Sequence, residues 1–347
     1  MHGIPIFDRK TVMKAIQFAA PGGLDKLKLV DLPAPAAPAA GEIQVRVHAS
    51  SLNFHDLGVV LGRMGAPDGR IPMADGAGVV TAVDAGVTEF AVGDAVVSTF
   101  FPQWQSGRNV PSNFSTVPGD GVDGYARELI NMPATAFTHA PKGWSHAEAA
   151  TLTTAGLTAW RALVVDGRIQ AGDTVLVLGT GGVSIFALQM AKSMGARVIA
   201  TTSSNAKKEK LLALGADVVI NYAETPEWGD AVLAATGGRG ADIVVEVGGA
   251  GTLPQSIRAC TPGGHIALIG VLSGIGGPVP TVEMMRKQQT LKGLIVGSRE
   301  QQQDMVRALE QFAWKPVIDS RYPLEQIGEA FAHQAAGKHF GKICLEY

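Results

Sequence analysis

The pattern of hydrophobic and polar positions changes near Ser145 and divides the chain into two parts. Before this point, short β-branched runs are separated by Gly- and Pro-rich breaks, which is typical of a β-rich domain. These runs predict strands at Lys14–Phe18, Lys26–Asp31, Glu42–His48, Gly78–Val83 and Ala95–Ser98. Beyond Ser145, strand-like and helix-like segments alternate, which predicts a doubly wound parallel sheet covered by helices.

In the second part, strands and helices alternate as far as Ser298, and a mainly helical tail follows. Strands are predicted at Thr174–Leu178, Arg197–Thr201, Val218–Asn221, Ile243–Val247, Ile266–Ile269 and Leu291–Val296, with helices such as Asn205–Leu214 and Thr252–Ala259 between them. The tail is predicted to form the helices Arg299–Phe312 and Leu324–Ala336 and a closing strand, Lys342–Glu346. We expect this tail to return to the first domain.

These patterns predict two domains, as the length of 347 residues also suggests. The β-rich domain is expected to comprise residues 13–137 and 299–347, and the α/β domain residues 138–298. Because Met13-Lys14-Ala15 looks like a natural start, residues 1–12 are interpreted as a leader or an alternative start.

A glycine-rich turn between the first α/β strand and the following helix carries the clearest chemistry. Gly179 permits a tight turn, and Gly181 lets the backbone approach a pyrophosphate without a Cβ atom in the way. The N–H groups of the helix start, at Gly182 and Val183, would then point at the anion. Ser184 replaces the third glycine of the GxGxxG pattern but is small enough for close packing. The turn predicts a dinucleotide site.

The residues after the second α/β strand favour NADPH over NADH. Dinucleotide folds that prefer NAD place an Asp or Glu about 20 residues beyond the glycines. Thr202 stands there, followed by Ser203, Ser204 and Lys207, so no carboxylate would repel a 2′-phosphate and hydroxyl and ammonium groups could bind it. The alternative is that Ser203–Lys210 only caps and solvates the next helix. The two interpretations are compatible.

Composition and charge exclude several classes of protein. A net charge of −2 argues against a nucleic-acid surface, and two cysteines, Cys260 and Cys344, cannot form a disulfide framework or a Cys-based zinc site. No uninterrupted apolar run approaches the roughly 18 residues of a membrane span, and no secretory signal is visible. A cytoplasmic location is therefore expected.

Several unlinked motifs, in the right order, carry a family resemblance. They are Met13-Lys14-Ala15, Gly76–Val80, Gly93–Val96, Ala147–Leu152, Gly172–Val177, Gly215–Asp217, Gly237–Gly240 and Phe340–Lys342. From about Met13 to Tyr347 the chain resembles the medium-chain dehydrogenase/reductase superfamily. The resemblance implies a Rossmann domain, a GroES-like barrel domain and a nicotinamide cofactor.

The chain departs from the zinc-containing members at the positions of their metal ligands. Asn53 stands at the first Cys position, Ala74 at the His of Gly-His-Glu, and Thr154 at the later Cys, and the four-cysteine lobe is missing. These residues do not supply the N, S and O ligands that zinc needs. An improvised site from His48, His55 and Asp75 is a minor alternative. The chain therefore resembles the zinc-independent branch, similar to NADPH:quinone oxidoreductase and zeta-crystallin, and no metal is expected.

This resemblance implies hydride transfer from NADPH to an activated C=C bond (an enone) or a quinone. The catalytic candidates are Asn53, His55 and Asp56, for which the alternatives are turn formation, an ordinary partly exposed histidine and helix capping. The tyrosine that relatives carry near the position of Gly58 is missing, so the proton donor is open. Alternative functions are a metal-free alcohol or aldehyde dehydrogenase and a non-catalytic NADPH-binding structural or sensor protein.

The resemblance also places the cofactor contacts. Thr158 would approach the nicotinamide and Tyr222 the adenosine, while the nicotinamide half is expected to contact Gly248, Gly270 and Leu272, and the cleft to be closed by Phe340 and Lys342. A surface charge is the alternative for Lys342. The substrate pocket is expected to be apolar and built from Phe54, Met64, Phe100, Phe101, Trp104 and Leu272. A small apolar carbonyl or quinone substrate and a homodimer through the Gly270–Gly274 region are expected.

Overall fold

A computed structural model describes residues 12–347, so the predicted leader lies, except for Val12, outside the described residues. The first half forms strands and one short helix, α1 (Phe54–Val60). The strands are β1 (Val12–Phe18), β2 (Leu27–Pro33), β3 (Glu42–Ser51), β4 (Ala77–Val83), β5 (Ala95–Ser98), β6 (Leu129–Pro133) and β7 (Phe137–His139).

The second half alternates helices and strands. Its strands are β8 (Thr174–Leu178), β9 (Arg197–Thr202), β10 (Val218–Asn221), β11 (Ala241–Glu246), β12 (Cys260–Leu268), β13 (Thr290–Gly293), β14 (Ile318–Pro323) and β15 (Lys342–Glu346). Its helices are α2 (His146–Ala150), α3 (Leu157–Trp160), α4 (Gly182–Ser193), α5 (Asn205–Ala213), α6 (Trp228–Ala235), α7 (Leu253–Ala259), α8 (Thr281–Arg286), α9 (Arg299–Leu309) and α10 (Ile327–Ala335).

The parallel sheet has the order β10-β9-β8-β11-β12-β13. The chain runs outward from β8 to β10 and then continues at β11 on the other side of β8. Ligands of such sheets bind at this switch point, outside the carboxyl ends of the strands. Every residue of β8 is buried, as expected for a strand with helices on both faces. The predicted Rossmann architecture is confirmed.

A second, mainly antiparallel sheet contains most strands of the first half and the tail. Its order is β14-β15-β3-β4-β5-β7, with β6 also paired to β3, while β1 and β2 form a separate ribbon. Ile43, Val45 and Val47 of β3 are buried and alternate with partly exposed residues, which is the pattern of a sheet with one face on a core. Because β15 pairs antiparallel with β3, the tail returns to this sheet as predicted.

The structure differs from the sequence prediction in a few elements. The sequence patterns did not predict α1 or β14. The predicted strand Leu291–Val296 ends at Gly293, and Val296 has a φ of +45°, which no strand residue adopts. Residues 152–156 form a π-helical turn that joins α2 to α3, and residues 161–166 form a second π-helical turn that continues α3. Among the described helices, none combines the length and the apolar character needed to cross a membrane.

Candidate active site

The glycine turn lies at the switch point and leaves room for a ligand. Gly179 has a φ of +72°, a left-handed conformation that glycine adopts without strain. A Cβ atom built on Gly181 would meet no protein atom within 4 Å. Helix α4 begins at Gly182, and its first N–H groups have no carbonyl of their own helix to bind. The turn therefore fits a pyrophosphate.

Ser184 performs a structural task at the position of the third glycine. Its hydroxyl donates a 2.6 Å hydrogen bond to the carbonyl oxygen of Leu178, the last residue of β8. The side chain is 1% exposed. Ser184 thus fastens the start of α4 to the strand that precedes it, and its departure from the GxGxxG pattern leaves the turn intact.

The C-terminal segment lies directly against this turn. The Gly341 N–H donates to the Thr180 carbonyl oxygen at 2.9 Å. A Cβ atom on Gly182 would come within 2.5 Å of the Lys342 Cδ atom, so glycine is required where the lysine stem passes. Lys342 is only 4% exposed, which contradicts the alternative of a surface charge.

The segment after β9 both caps a helix and offers exposed polar groups. Thr202 is buried, and its hydroxyl accepts from the Ser204 N–H at 3.2 Å. The Ser204 hydroxyl accepts from the Lys207 N–H and caps α5. The Lys207 ammonium donates to the carbonyl oxygens of Gly337 and His339 at 3.1 and 2.9 Å. Lys207 therefore ties α5 to the C-terminal segment.

Ser203 and Tyr222 are the predicted adenosine-side residues that remain accessible. Ser203 is exposed, and Tyr222 is 42% exposed at the end of β10. Phe340, by contrast, is buried, with the Lys210 ammonium 5.5 Å from its ring centre. The aromatic ring of Phe340 is thus part of the packing between α5 and the C-terminal segment.

A buried carboxylate, that of Glu246, holds the loop after β11. Glu246 is fully buried and accepts from the Gly248 N–H at 2.7 Å, the Gly249 N–H at 2.9 Å and the Thr252 hydroxyl at 2.6 Å. The sequence analysis missed Glu246. An acidic residue that ends an apolar strand and precedes two glycines would have been the signal.

Of the other residues predicted on the nicotinamide side, Gly270 and Leu272 donate backbone hydrogen bonds to Glu246 and Val247. Thr158 is buried in α3. Gly270 lies close to the end of β11. A Cβ atom added to Gly270 would come within 2.1 Å of the carbonyl oxygen of Val247, which follows this strand. Leu272 is 57% exposed, so it does not line a closed pocket in the described chain.

Asn53 and Asp56 form one hydrogen-bonded unit at the start of α1. The Asp56 carboxylate accepts from the Asn53 N–H at 2.9 Å, the Asn53 side-chain amide at 3.0 Å and the Ala74 N–H at 2.8 Å. This confirms that Asp56 caps the helix. The Asn53 Oδ1 atom accepts from the Lys342 ammonium at 2.5 Å, which brings two predicted site residues together.

His55 points to a different set of neighbours. Its Nε2 atom lies 3.3 Å from the Asp120 Oδ2 atom, and its ring packs 5.5 Å from the ring of Phe100 and 4.9 Å from that of Phe114. The loop after β5 thus surrounds His55. The carboxylate of Asp56, the next catalytic candidate along the chain, is instead engaged by backbone and amide donors.

The predicted pocket residues divide into buried and exposed groups. Phe100, Phe101 and Trp104 are 2–3% exposed and belong to the core, whereas Phe54 and Met64 are 51% and 40% exposed. Of these residues, Phe101 lines a cavity of about 350 Å³. The cavity is also lined by Val110, Pro111, Arg161, Leu268 and Leu294. The long loop after β5 therefore contributes both to the core and to a cavity wall.

The three positions that correspond to zinc ligands meet around Asp75. The Thr154 hydroxyl donates to Asp75 Oδ1 at 2.6 Å, and the Ser51 hydroxyl donates to Oδ2 at 2.5 Å. The Lys342 Nζ atom lies 3.8 Å from Oδ2. Ala74 offers no side-chain ligand, and an ammonium group repels a dication, so these residues do not fit zinc. Within residues 12–347, no three His, Cys, Asp or Glu side chains are grouped as a metal site.

Burial dominates the electrostatics of this cluster. It raises the pKa of Asp75 to about 6, an effect that the Lys342 ammonium opposes and the Asp56 carboxylate reinforces. Burial also lowers the pKa of Lys342, while Asp75 acts in the opposite direction. The cluster thus holds an amino group with a lowered pKa beside a carboxyl group with a raised pKa.

The raised pKa of Asp75 predicts a pH-dependent stability. Because the folded state binds the Asp75 proton more tightly than the unfolded state, this contribution is present at low pH and is lost as pH rises through about 6. The variant Asp75→Asn lacks it. We expect its free energy of unfolding, relative to the original chain, to improve by about 2 kcal/mol between pH 4.5 and 7.5. Urea unfolding at both pH values measures this difference, and a pH-independent difference would contradict it.

Comparisons with known proteins agree with this architecture. The family described as Alcohol dehydrogenase GroES-like domain matches residues 39–142, and the family described as Zinc-binding dehydrogenase matches residues 182–313. A zinc-type alcohol dehydrogenase-like protein of Schizosaccharomyces pombe is 38% identical over 335 residues, covering 93% of this chain and 96% of that protein.

Two solved structures are similar over nearly the whole chain. A candidate alcohol dehydrogenase from Sinorhizobium meliloti 1021 has a TM-score of 0.92 and 41% identity, covering 98% of this chain and 100% of that one. An NAD-dependent alcohol dehydrogenase has a TM-score of 0.88 and 35% identity, covering 96% and 99%.

Proposed function

Since the chain belongs to the medium-chain dehydrogenase/reductase superfamily and is an oxidoreductase, we propose that it is a zinc-independent, NADPH-dependent reductase. Its substrate is a small apolar molecule with an activated C=C bond, such as an enone, or a quinone. The observation that carries this proposal is the Lys342–Asn53 contact, which puts an ammonium group among the positions of the missing metal ligands.

The proposed cofactor contacts follow the cleft. Gly181 and the first N–H groups of α4 hold the pyrophosphate, and Ser203 and Tyr222 face the adenosine end. Neither Thr202 nor Ser203 is acidic, which supports a 2′-phosphate. When bound, the nicotinamide supplies a hydride, and the chain orients it and excludes water.

The absence of zinc ligands favours conjugate reduction. Exchange between an alcohol and a carbonyl builds charge on an alkoxide, which a metal ion stabilises as a Lewis acid. In an enone or quinone, the developing charge is delocalised onto an oxygen that needs only hydrogen-bond donors. Lys342 carries such donors in the cleft, whereas the Asn53 amide already donates to Ser51 and Asp56.

A metal-free alcohol or aldehyde dehydrogenase is the second candidate. It is favoured by the relatives described as alcohol dehydrogenases, one of them as NAD-dependent. Asp75, which interacts with Asn53 and Lys342, is then a candidate protonatable group, since the His55 ring packs toward Asp120.

We also propose that the protein is a homodimer located in the cytoplasm. The parallel sheet has two edge strands, β10 and β13, and the segment before β13 exposes large apolar side chains. Leu272 is 57% exposed, Ile275 93% and Met285 69%. Burying such a patch against a second copy would extend the sheet from edge to edge.

The first test is turnover after treatment with a chelator. We expect the protein to oxidise NADPH with 2-cyclohexen-1-one or a 1,4-quinone, and to use NADH about tenfold less well. Mass spectrometry should identify the saturated ketone or the quinol. Activity confined to aldehydes would favour the second candidate, whereas saturable NADPH binding without any turnover would favour a non-catalytic role.

A further inference from the structure

The Lys342 side chain joins the two halves of the cleft. Its stem passes the phosphate-binding turn at Gly182, and its ammonium group reaches the loop before α1. There it donates to the carbonyl oxygen of Leu52 at 2.6 Å and to Asn53 Oδ1 at 2.5 Å. A lysine in this position puts one positive charge between the cofactor turn and the candidate catalytic residues.

The ammonium group retains capacity for another partner. An ammonium nitrogen carries three N–H donors, and Leu52 and Asn53 accept two of them. Asp75 Oδ2, at 3.8 Å, is a charge partner beyond hydrogen-bond distance. Among the described residues, no acceptor is assigned to the third N–H. A buried cation with a spare donor is suited to an oxygen atom that becomes negative.

The surrounding carboxyl groups are already engaged. Asp75 accepts from Ser51 and Thr154, and Asp56 accepts from backbone and amide donors at the start of α1. At 3.8 Å, Asp75 forms an ion pair with Lys342 that is longer than a hydrogen bond. The cluster fixes the ammonium group in place without neutralising it through a close ion pair.

On this basis, and resting on the proposed function above, we propose that the Lys342 ammonium is a catalytic residue that binds the carbonyl oxygen of the substrate. It provides the charge that zinc provides in metal-containing relatives. In the reaction, a C–H bond forms at the β-carbon with the hydride of NADPH, which is oxidised to NADP⁺. The C=C electrons move toward the oxygen held by Lys342, and water supplies the proton that the α-carbon takes up.

A different role must be separated from this one. Because the lysine stem lies against Gly182, the same ammonium group could turn toward the cofactor pyrophosphate. Loss of a phosphate contact would weaken NADPH binding, whereas loss of a carbonyl contact would slow turnover at saturating NADPH. Loss of Lys342 should therefore change mainly the cofactor Kd if it binds the pyrophosphate, and mainly kcat if it binds the substrate carbonyl.

The variant Lys342→Met tests the proposal, with Lys28→Met on the exposed face of β2 as the matched control. We expect Lys342→Met to lower kcat for 2-cyclohexen-1-one by about tenfold or more. The Kd for NADPH, measured by fluorescence, should change by less than about threefold. A rise of about tenfold in this Kd, with kcat unchanged, would overturn the proposal and assign Lys342 to the pyrophosphate.

Ligand binding gives a measurement that needs no turnover. Calorimetry with cyclohexanone and the protein–NADP⁺ complex should show binding weakened about fivefold or more by Lys342→Met. If the original chain reduces no enone or quinone but this weakening is observed, the proposed function fails and the role of Lys342 stands. If enones are reduced and the ketone binds both proteins equally, or binds neither, the role of Lys342 fails.

Folding is checked by circular dichroism on every variant. Should Lys342→Met fail to fold, Lys342→Gln retains N–H donors for Leu52 and Asn53 but has no charge. We expect the same losses of kcat and ketone affinity from Lys342→Gln. Full activity of a folded Lys342→Gln would show that the charge is not needed and would overturn the proposal.

Discussion

Gly181→Ala is expected to weaken NADPH binding by about a hundredfold, or about 2.7 kcal/mol. The Cβ atom of alanine would occupy the space above the turn through which a pyrophosphate must approach the backbone. That space is free of protein atoms within 4 Å, and Gly181 has an ordinary φ of −75°. Stability should therefore change little. Fluorescence titration of NADPH and thermal unfolding measure the two quantities.

The control for this prediction is Gly276→Ala. A Cβ atom on Gly276 would also meet no protein atom within 4 Å, and its φ is not left-handed, but Gly276 lies in the loop before α8. We expect it to leave the NADPH Kd unchanged. If Gly181→Ala bound NADPH as tightly as Gly276→Ala does, the pyrophosphate could not lie over the turn as proposed.

Local signals made the glycine-rich turn between β8 and α4 predictable, while its binding of a phosphate stays a prediction. The strand before it, the glycines within it and the apolar periodicity after it all lie within a few residues, so Gly179, Gly181 and Gly182 could be recognised from the sequence. The same holds for β8, β10 and β15, whose predicted bounds agree with the structure. Where structure depends on neighbouring residues in the chain, sequence patterns are sufficient.

The sequence patterns did not predict elements that lack a clear periodicity of hydrophobic residues. Helix α1 has seven residues and is defined by the Asn53–Asp56 cap rather than by an apolar stripe. Strand β14 alternates partly exposed and exposed residues, and its pairing with the distant β15 is what makes it a strand. The domain bounds 13–137, 138–298 and 299–347 stay a prediction.

The candidate site shows the same limit at longer range. The sequence placed Lys342 in a closing segment, but its contact with Asn53, 289 positions away, depends on the pairing of β15 with β3. Glu246 ends an apolar strand before two glycines, a local signal that the sequence analysis did not use, but the four donors that it meets are brought together only by the fold. The sequence was sufficient to select candidate residues, whereas the contacts between them could be found only from the fold.

Ser203→Asp is expected to change the preference between NADPH and NADH by about a hundredfold in favour of NADH. A carboxylate at this position would repel the 2′-phosphate and would accept a hydrogen bond from a ribose 2′-hydroxyl. Ser203 is exposed and precedes the Ser204 cap of α5, so the fold should tolerate the change. The ratio of kcat/KM values for the two cofactors, measured with the same enone, gives the result.

Ser203→Asn is the matched control, because asparagine has nearly the size of aspartate without its charge. We expect Ser203→Asn to retain a preference for NADPH within about threefold of the original. If both variants lost NADPH activity equally, the effect would be steric. If Ser203→Asp left the ratio unchanged, the 2′-phosphate could not lie at this end of β9, and the Lys207 ammonium, bound to Gly337 and His339, would hold only the C-terminal segment.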